Sequence, residues 1–170
     1  RQQIEKRILK EALGMVKEAG GIERRRSIVL ASTEWHPGVI GIVASRLVER
    51  FHRPTILIAA SRESGVGRGS ARSISGLDVY DAISACAETL ESFGGHTMAA
   101  GLSVRSEAVS LLADHFEAAV AARTTPDDFV PVVGIDCEFP LLEVGEQCVQ
   151  DLARLEPYGS ANAQPVLMSR

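Results

Sequence analysis

The sequence predicts an α/β layered domain of about 100 residues, and three observations carry that prediction. Short continuous apolar runs at 27–32 and 55–60 read as buried strands. The segments between and beyond them place apolar residues at helical spacing. In order, the signals run strand, helix, strand, strand, helix, strand, helix between residues 27 and 123, as when helices cover a sheet.

Residues 2–19 come first, with Ile4, Ile8, Leu9, Ala12, Leu13, Met15, Val16 and Ala19 forming a broad apolar stripe. Gly20-Gly21 ends that helix. Its charged outer face suits a connector between domains, or a packing helix of this one. After the strand at 27–32, Pro37 opens a helix that runs to Phe51. Val39, Ile40, Val43, Leu47, Val48 and Phe51 point inward. His52 and Arg53 suit the negative end of its dipole, and Pro54 closes it. A strand at 55–60 follows, then an alternating one at 65–73. Leu77, Val79, Tyr80, Ile83, Ala87 and Leu90 predict a helix over 77–92, broken by Gly94-Gly95, with Cys86 packed inside it. Residues 99–104 read as another buried strand. Ser106 caps a helix to Arg123 whose inner face is Val109, Leu112, Ala113, Phe116 and Val120, with His115 facing solvent.

Residues 124–128 are a linker by composition. Beyond it, a strand is expected at 130–139, an amphipathic helix at 145–155 and a turn-rich loop at 156–162. The sequence stops as another strand begins at Val166. This tail holds too few apolar residues for a core of its own. The expected division is therefore a connector helix (1–20), a main domain (21–123) and the incomplete start of a further region (124–170). With no initiator Met, the chain reads as a piece of a longer protein.

No apolar run approaches the ~18–20 residues that span a membrane, so no membrane partner is expected. Three widely spaced cysteines without a CxxC pair argue against a disulfide framework or a zinc site and fit a reducing cytoplasm. The net charge of −4 argues against a generic nucleic-acid binder, but the distribution is uneven. Residues 21–75 hold nine Arg against four Glu, and residues 76–170 hold four Arg against fifteen acids. Every cation after Lys17 is Arg, the better planar donor to phosphate.

Two stretches look built for phosphate. In Gly65-Val66-Gly67-Arg68-Gly69-Ser70-Ala71-Arg72-Ser73, one parity of an extended strand carries Val66, Arg68, Ser70 and Arg72, about 6–7 Å apart. The interleaved glycines would let an anionic backbone approach. An exposed edge strand whose charges deter aggregation fits the same pattern. In Phe93-Gly94-Gly95-His96-Thr97-Met98-Ala99-Ala100-Gly101, a histidine follows a Gly-Gly corner and precedes very small residues. Trp35 and His36 sit where a strand turns into a helix, beside N-terminal amides that collect anions. The single tryptophan could stack on a base or serve as a hydrophobic staple.

Glu34-Trp35-His36-Pro37-Gly38-Val39-Ile40-Gly41-Ile42-Val43-Ala44-Ser45-Arg46-Leu47 with Phe51-His52-Arg53-Pro54 resembles the RecJ family of single-strand-specific 5′→3′ exonucleases. So do Gly69-Ser70-Ala71-Arg72-Ser73, Gly94-Gly95-His96-Thr97-Met98-Ala99-Ala100-Gly101 and Leu155-Glu156-Pro157-Tyr158-Gly159. The Gly-Gly-His element is shared with DHH phosphoesterases at large and with alanyl-tRNA synthetase. The resemblance implies a DHH-associated domain, a layered mixed β-sheet flanked by helices, followed by an OB-type region. It also implies a separate DHH domain in the same polypeptide, whose two divalent metals, Mn or Mg, activate water. No Asp-His-His motif occurs here, so this piece is expected to bind single-stranded DNA and not to cut it. By similarity Ser70 and Arg72 would hold a nucleotide phosphate, the 5′-terminal one being the candidate, with Ser73 in the same motif. Arg46 and Arg68 would add charge along the strand path. His96, on its Gly94-Gly95 corner, would face the metals and contact the scissile or a neighbouring phosphate, and His36 is a candidate for the same cleft. Recombination and repair, with single-strand-binding or helicase partners of the full protein, are the implied context. The tail departs from the family at Ser160-Ala161-Asn162-Ala163-Gln164, and no function is assigned to it. Two other functions are compatible with the shared domain: an oligoribonuclease or cyclic-dinucleotide phosphodiesterase, and a non-catalytic RNA-binding module.

Overall fold

A computed structural model describes residues 2–23, 25–159 and 161–169. Arg1 of the expected connector helix, Arg24, Ser160 of the turn-rich loop and Arg170 lie outside the described residues. The chain divides into two compact units between Pro131 and Val132.

The first unit contains α1 (Gln2–Glu18), β1 (Ile28–Ser32), α2 (Pro37–Phe51), β2 (Thr55–Ala59), β3 (Val66–Arg72), α3 (Val79–Ser84), β4 (Ser92–His96), β5 (Ala99–Arg105) and α4 (Val109–Ala121). Its five strands form one mixed sheet in the order β1-β2-β3-β5-β4. Only β1 and β2 run parallel; the other pairs are antiparallel. The expected layered, mixed α/β architecture is what forms. No described helix is long and apolar enough to cross a membrane.

The period-2 alternation of the strands sorts the core onto two faces. On one, Ile56, Ile58, Ala71, Ala100, Leu102 and Val104 pack with residues of α3 and α4, Phe116 among them. On the other, Leu57 and Ala59 meet Ile40, Val43, Ala44 and Leu47 of α2, with Ile8 and Ala12 of α1 behind. β2 is buried from end to end, and each of its large side chains contributes about 1.5–3 kcal/mol of burial free energy. α2 packs chiefly across β2 and β3, and on the same face Gly101 of β5 and Gly94 of β4 stay open.

α2 begins and ends as expected. Pro37 occupies its first turn, and His52 closes it with a left-handed backbone (φ 50°) and an N–H donated to the Val48 carbonyl. Arg53 donates to the carbonyls of His52 and Arg25.

Other expectations need correction. The helix expected over 77–92 stops at Ser84, followed by a 3-10 turn at Ala87–Thr89. Glu91 then donates its N–H to Ser103, which starts β4, a strand the sequence did not announce. Gly94 and Gly95 lie inside β4 and make no corner. The chain reverses at Thr97-Met98. Ser106 caps no α-helix; it opens a 3-10 turn, and α4 begins at Val109. The supposed linker is packed. Asp128 accepts from the N–H and hydroxyl of Thr125, and Phe129 is buried under Arg53, whose guanidinium carbon lies 4.3 Å from the ring centre. Cys86 is buried, and burial pushes its thiol up to about 11, so it stays protonated.

In the second unit the strand expected over 130–139 shrinks to β6 (Cys137–Glu138), paired in parallel with β7 (Leu167–Met168). Val132 and Val133 stay exposed. The expected helix forms as α5 (Glu146–Ala153), with no buried residue.

Candidate functional site

The open part of the sheet becomes a site through strand register. Residues directly opposite one another share a face. Arg68 faces Ser103, which faces Ser92; Ser70 faces Gly101, which faces Gly94; Arg72 faces Ala99, which faces His96. The rows run from a hydroxyl- and guanidinium-bearing strand across a floor of glycine, alanine and serine. Gly101 and Gly94 have open space where a Cβ would stand. A cleft of about 680 Å³ lies over this floor, walled by Pro37 and Gly38 on one side and by Arg68 and Ser70 on another.

Arg72 stands behind Ser70, half-buried between β3 and α2. Its Nη1 donates to Ser70 Oγ at 2.9 Å and to the Ala71 carbonyl at 2.7 Å. That uses one edge of the guanidinium. Nε and Nη2, the other edge of the fork, have no protein acceptor among the described residues, and no carboxylate pairs with the group. Burial without a counterion lowers the Arg72 pKa from its ordinary value; an arginine remains charged at neutral pH regardless. The result is a fixed cation with one bidentate edge available, the geometry that matches a phosphate. Arg68 is exposed and likewise without an ion pair among the described residues.

Gly41 of α2 is the neighbour that makes room. A Cβ there would lie 2.8 Å from Arg72 Nη2 and 3.0 Å from Ser70 Oγ. The alternating glycines of β3 act differently from what the sequence suggested. They face the core, where a Cβ on Gly67 would meet Ile58 at 2.6 Å and one on Gly69 would meet Leu102 at 2.5 Å. They serve close packing; Gly94 and Gly101 bare the surface.

His96 is exposed at the end of β4, in the same row as Arg72 and two strands away, about 10 Å. His36 is exposed at the start of α2 and its Nδ1 accepts from the Gly38 N–H at 3.0 Å, which leaves Nε2 as its outward group. The next two N–H groups, of Val39 and Ile40, bond to the His36 carbonyl. The helix start therefore does not present the outward amides the sequence suggested.

Of the candidates, Arg68, Ser70 and Gly94 line the cleft, whereas Arg72, His96, His36 and Gly95 do not, and three more are engaged elsewhere. Trp35 is 4% exposed and its indole N–H donates to Glu11 Oε2 at 2.9 Å, so the ring has no face for a base to stack on. Ser73 is buried on the other parity, with its hydroxyl donated to the Leu77 carbonyl. Arg46 pairs with Glu49 at 3.1 Å and reaches Glu5 of α1 at 3.7 Å. It lies about 140° around the helix from Gly41. Sequence reasoning missed Ser92 and Ser103, and it had Gly41 at the helix start and Gly101 in the Gly-Gly-His stretch without the room that the one makes for Arg72 or the place of the other in the floor, which depend on register and helix packing.

Among the described residues no three His, Cys, Asp or Glu side chains gather to hold a metal ion.

The chain belongs to the DHHA1 domain family, whose model matches residues 25–122. It is similar over nearly all its length to single-stranded-DNA-specific exonucleases named RecJ. The Bacillus subtilis protein is 36% identical over 165 residues, 97% of this chain and 21% of that one. The Escherichia coli protein is 35% identical over 179 residues, 98% of this chain and 30% of that one. Among solved structures, RecJ from Thermus thermophilus in complex with Mn²⁺ superposes with a TM-score of 0.80 at 32% identity, covering 97% of this chain and 23% of that one. The chain thus spans between a fifth and a third of these relatives.

Proposed function

We propose that this chain is the substrate-holding part of a RecJ-like single-stranded-DNA-specific 5′→3′ exonuclease. The observation that carries the reading is Arg72: half-buried, with no acid paired to it among the described residues, one edge locked to Ser70 of the glycine-floored cleft and the other without a protein acceptor. In this reading the Nε–Nη2 edge of Arg72 and the Ser70 hydroxyl take the 5′-terminal phosphate. Arg68, two residues further along β3 from Ser70, takes a following phosphate, and the sugar–phosphate chain rests on Gly101 and Gly94. His96 and His36 face the strand from the two ends of the floor. Mn²⁺ or Mg²⁺ would belong to a DHH domain elsewhere in the polypeptide and would supply hydrolysis there. This chain binds without cleaving.

The test is the affinity of the 170-residue chain for 3′-labelled single-stranded DNA with and without a 5′-phosphate. The phosphorylated end is expected to bind about tenfold more tightly, with an advantage that shrinks as salt rises. Equal affinity for both ends would overturn the assignment of the pocket. Nucleotide release by this chain in Mn²⁺ would overturn the division of labour.

Gly41→Ala separates the site from the fold. The added methyl meets the far end of a flexible side chain, so the helix persists, and alanine favours a helix interior by up to about 1 kcal/mol. Arg72 is displaced and the available edge covered. Affinity for phosphorylated DNA is expected to drop at least about tenfold, while the thermal midpoint stays level or rises. Unchanged affinity in anisotropy titrations would show that Arg72 Nη2 does not face the ligand.

A further inference from the structure

We infer that Arg7 and Glu11 of α1 are positioning residues for the cleft, an inference that rests on the reading of the site above. The turn joining β1 to α2 is gripped from outside by one turn of α1. Glu11 Oε2 accepts the indole N–H of Trp35 at 2.9 Å, and Arg7 Nη2 donates to the Glu34 carbonyl at 3.2 Å. Arg7 Nε and Glu11 Oε1 are 3.9 Å apart. Beneath them Ile8 and Ala12 are fully buried in the cluster that contains Trp35 and the inner face of α2. The next residue, His36, is held from the other side through Gly38, and Pro37 and Gly38 are cleft wall.

Five consecutive residues, Glu34 to Gly38, therefore run from a grip by α1 to the wall of the cleft. A buried indole N–H without its acceptor costs the desolvation of that donor, and the ring or the turn must move to recover a partner. Moving the turn moves His36 and the start of α2 relative to β3. Arg7 and Glu11 act on the ligand through this turn, since neither lines the cleft.

The chain has one tryptophan, so its emission reports the surroundings of Trp35, the Glu11 contact among them. In the 170-residue chain, Glu11→Ala is expected to shift Trp35 emission to the red. It should also weaken binding of 5′-phosphorylated single-stranded DNA about five- to tenfold. Glu11→Gln keeps an acceptor and should restore both readouts. Trp35→Phe should weaken binding as much as Glu11→Ala, and the double variant no more than either. Ile8→Val, which loosens the packing of α1 without touching the grip, should leave affinity unchanged. Arg72→Ala is measured alongside. If it abolishes binding while Glu11→Ala leaves affinity intact, the positioning role is overturned and the cleft stands. Equal losses in Glu11→Gln and Glu11→Ala, or a matching loss in Ile8→Val, also overturn it. If neither Arg72→Ala nor Glu11→Ala changes affinity, the reading of the cleft fails, and the inference with it.

Discussion

Arg72→Ala is expected to weaken binding of 5′-phosphorylated single-stranded DNA by roughly 30- to 100-fold, about 2–3 kcal/mol. The magnitude follows from what is lost: a charge-assisted, bidentate contact from a half-buried cation with no competing carboxylate among the described residues. Ser70 loses its fixed orientation at the same time, because its hydroxyl accepts from Arg72 Nη1. Arg72→Lys should recover little. An ammonium carries the charge but cannot hold Ser70 and the Ala71 carbonyl with one edge while presenting another to the ligand. The fold should barely respond, since the side chain takes no part in either apolar cluster. Anisotropy titrations with DNA of both end states decide the point. A loss confined to the phosphorylated end supports a terminal-phosphate pocket. An equal loss at both ends makes the contact a general backbone one, and no loss removes Arg72 from the site.

That prediction was within reach of the sequence because the period of an extended strand alone puts Arg68, Ser70 and Arg72 on one face. The helix at Pro37–Phe51 was equally legible, its proline and its apolar face agreeing with its packing. What the sequence hid depends on partners distant in the chain. β4 contains two glycines in five residues and has little strand propensity of its own. It exists because β5 offers it a complete ladder. The apolar spacing over 77–92 fitted a helix, yet pairing of Glu91 with Ser103 won over that local preference. Trp35 read equally as a base-stacking ring or a hydrophobic staple, and its burial beside Ile40, with Glu11, 24 residues earlier, as its acceptor, favours the staple. The glycines of β3 looked like a phosphate cradle, and only the register with β2 and β5 shows that they face Ile58 and Leu102. The capping box of Thr125 and Asp128 was present in the sequence and would have identified an ordered turn where composition suggested a linker.

Gly95→Val and Gly94→Val, at neighbouring positions in β4, are expected to fail in different ways. A Cβ on Gly95 would stand 2.5 Å from Ala100 Cα and 2.7 Å from Ala100 Cβ, on a backbone with φ +156°. The obstruction is the backbone of the paired strand, which cannot rotate aside. β4 must detach from β5, taking with it the contact between Phe93 and Tyr80, whose rings lie 5.8 Å apart. The expected cost is about 2–4 kcal/mol, seen as a thermal midpoint roughly 10 °C lower. DNA binding falls as a consequence, because Gly94 and His96 lose their places. A Cβ on Gly94 meets nothing within 4 Å, and valine suits a strand better than glycine. Gly94→Val should therefore keep or raise the midpoint while filling the cleft floor, and affinity should fall about tenfold or more through exclusion alone. Thermal melts and DNA titrations on both variants separate the two causes. If Gly94→Val binds as well as the parent chain, the strand does not cross the β4 side of the floor, and the contact surface contracts to β3 and the start of α2. If Gly95→Val melts at the parent temperature, the hairpin backbone is more accommodating than the close approach of Gly95 to Ala100 requires. The place of His96 in the row of Arg72 would then not depend on that glycine.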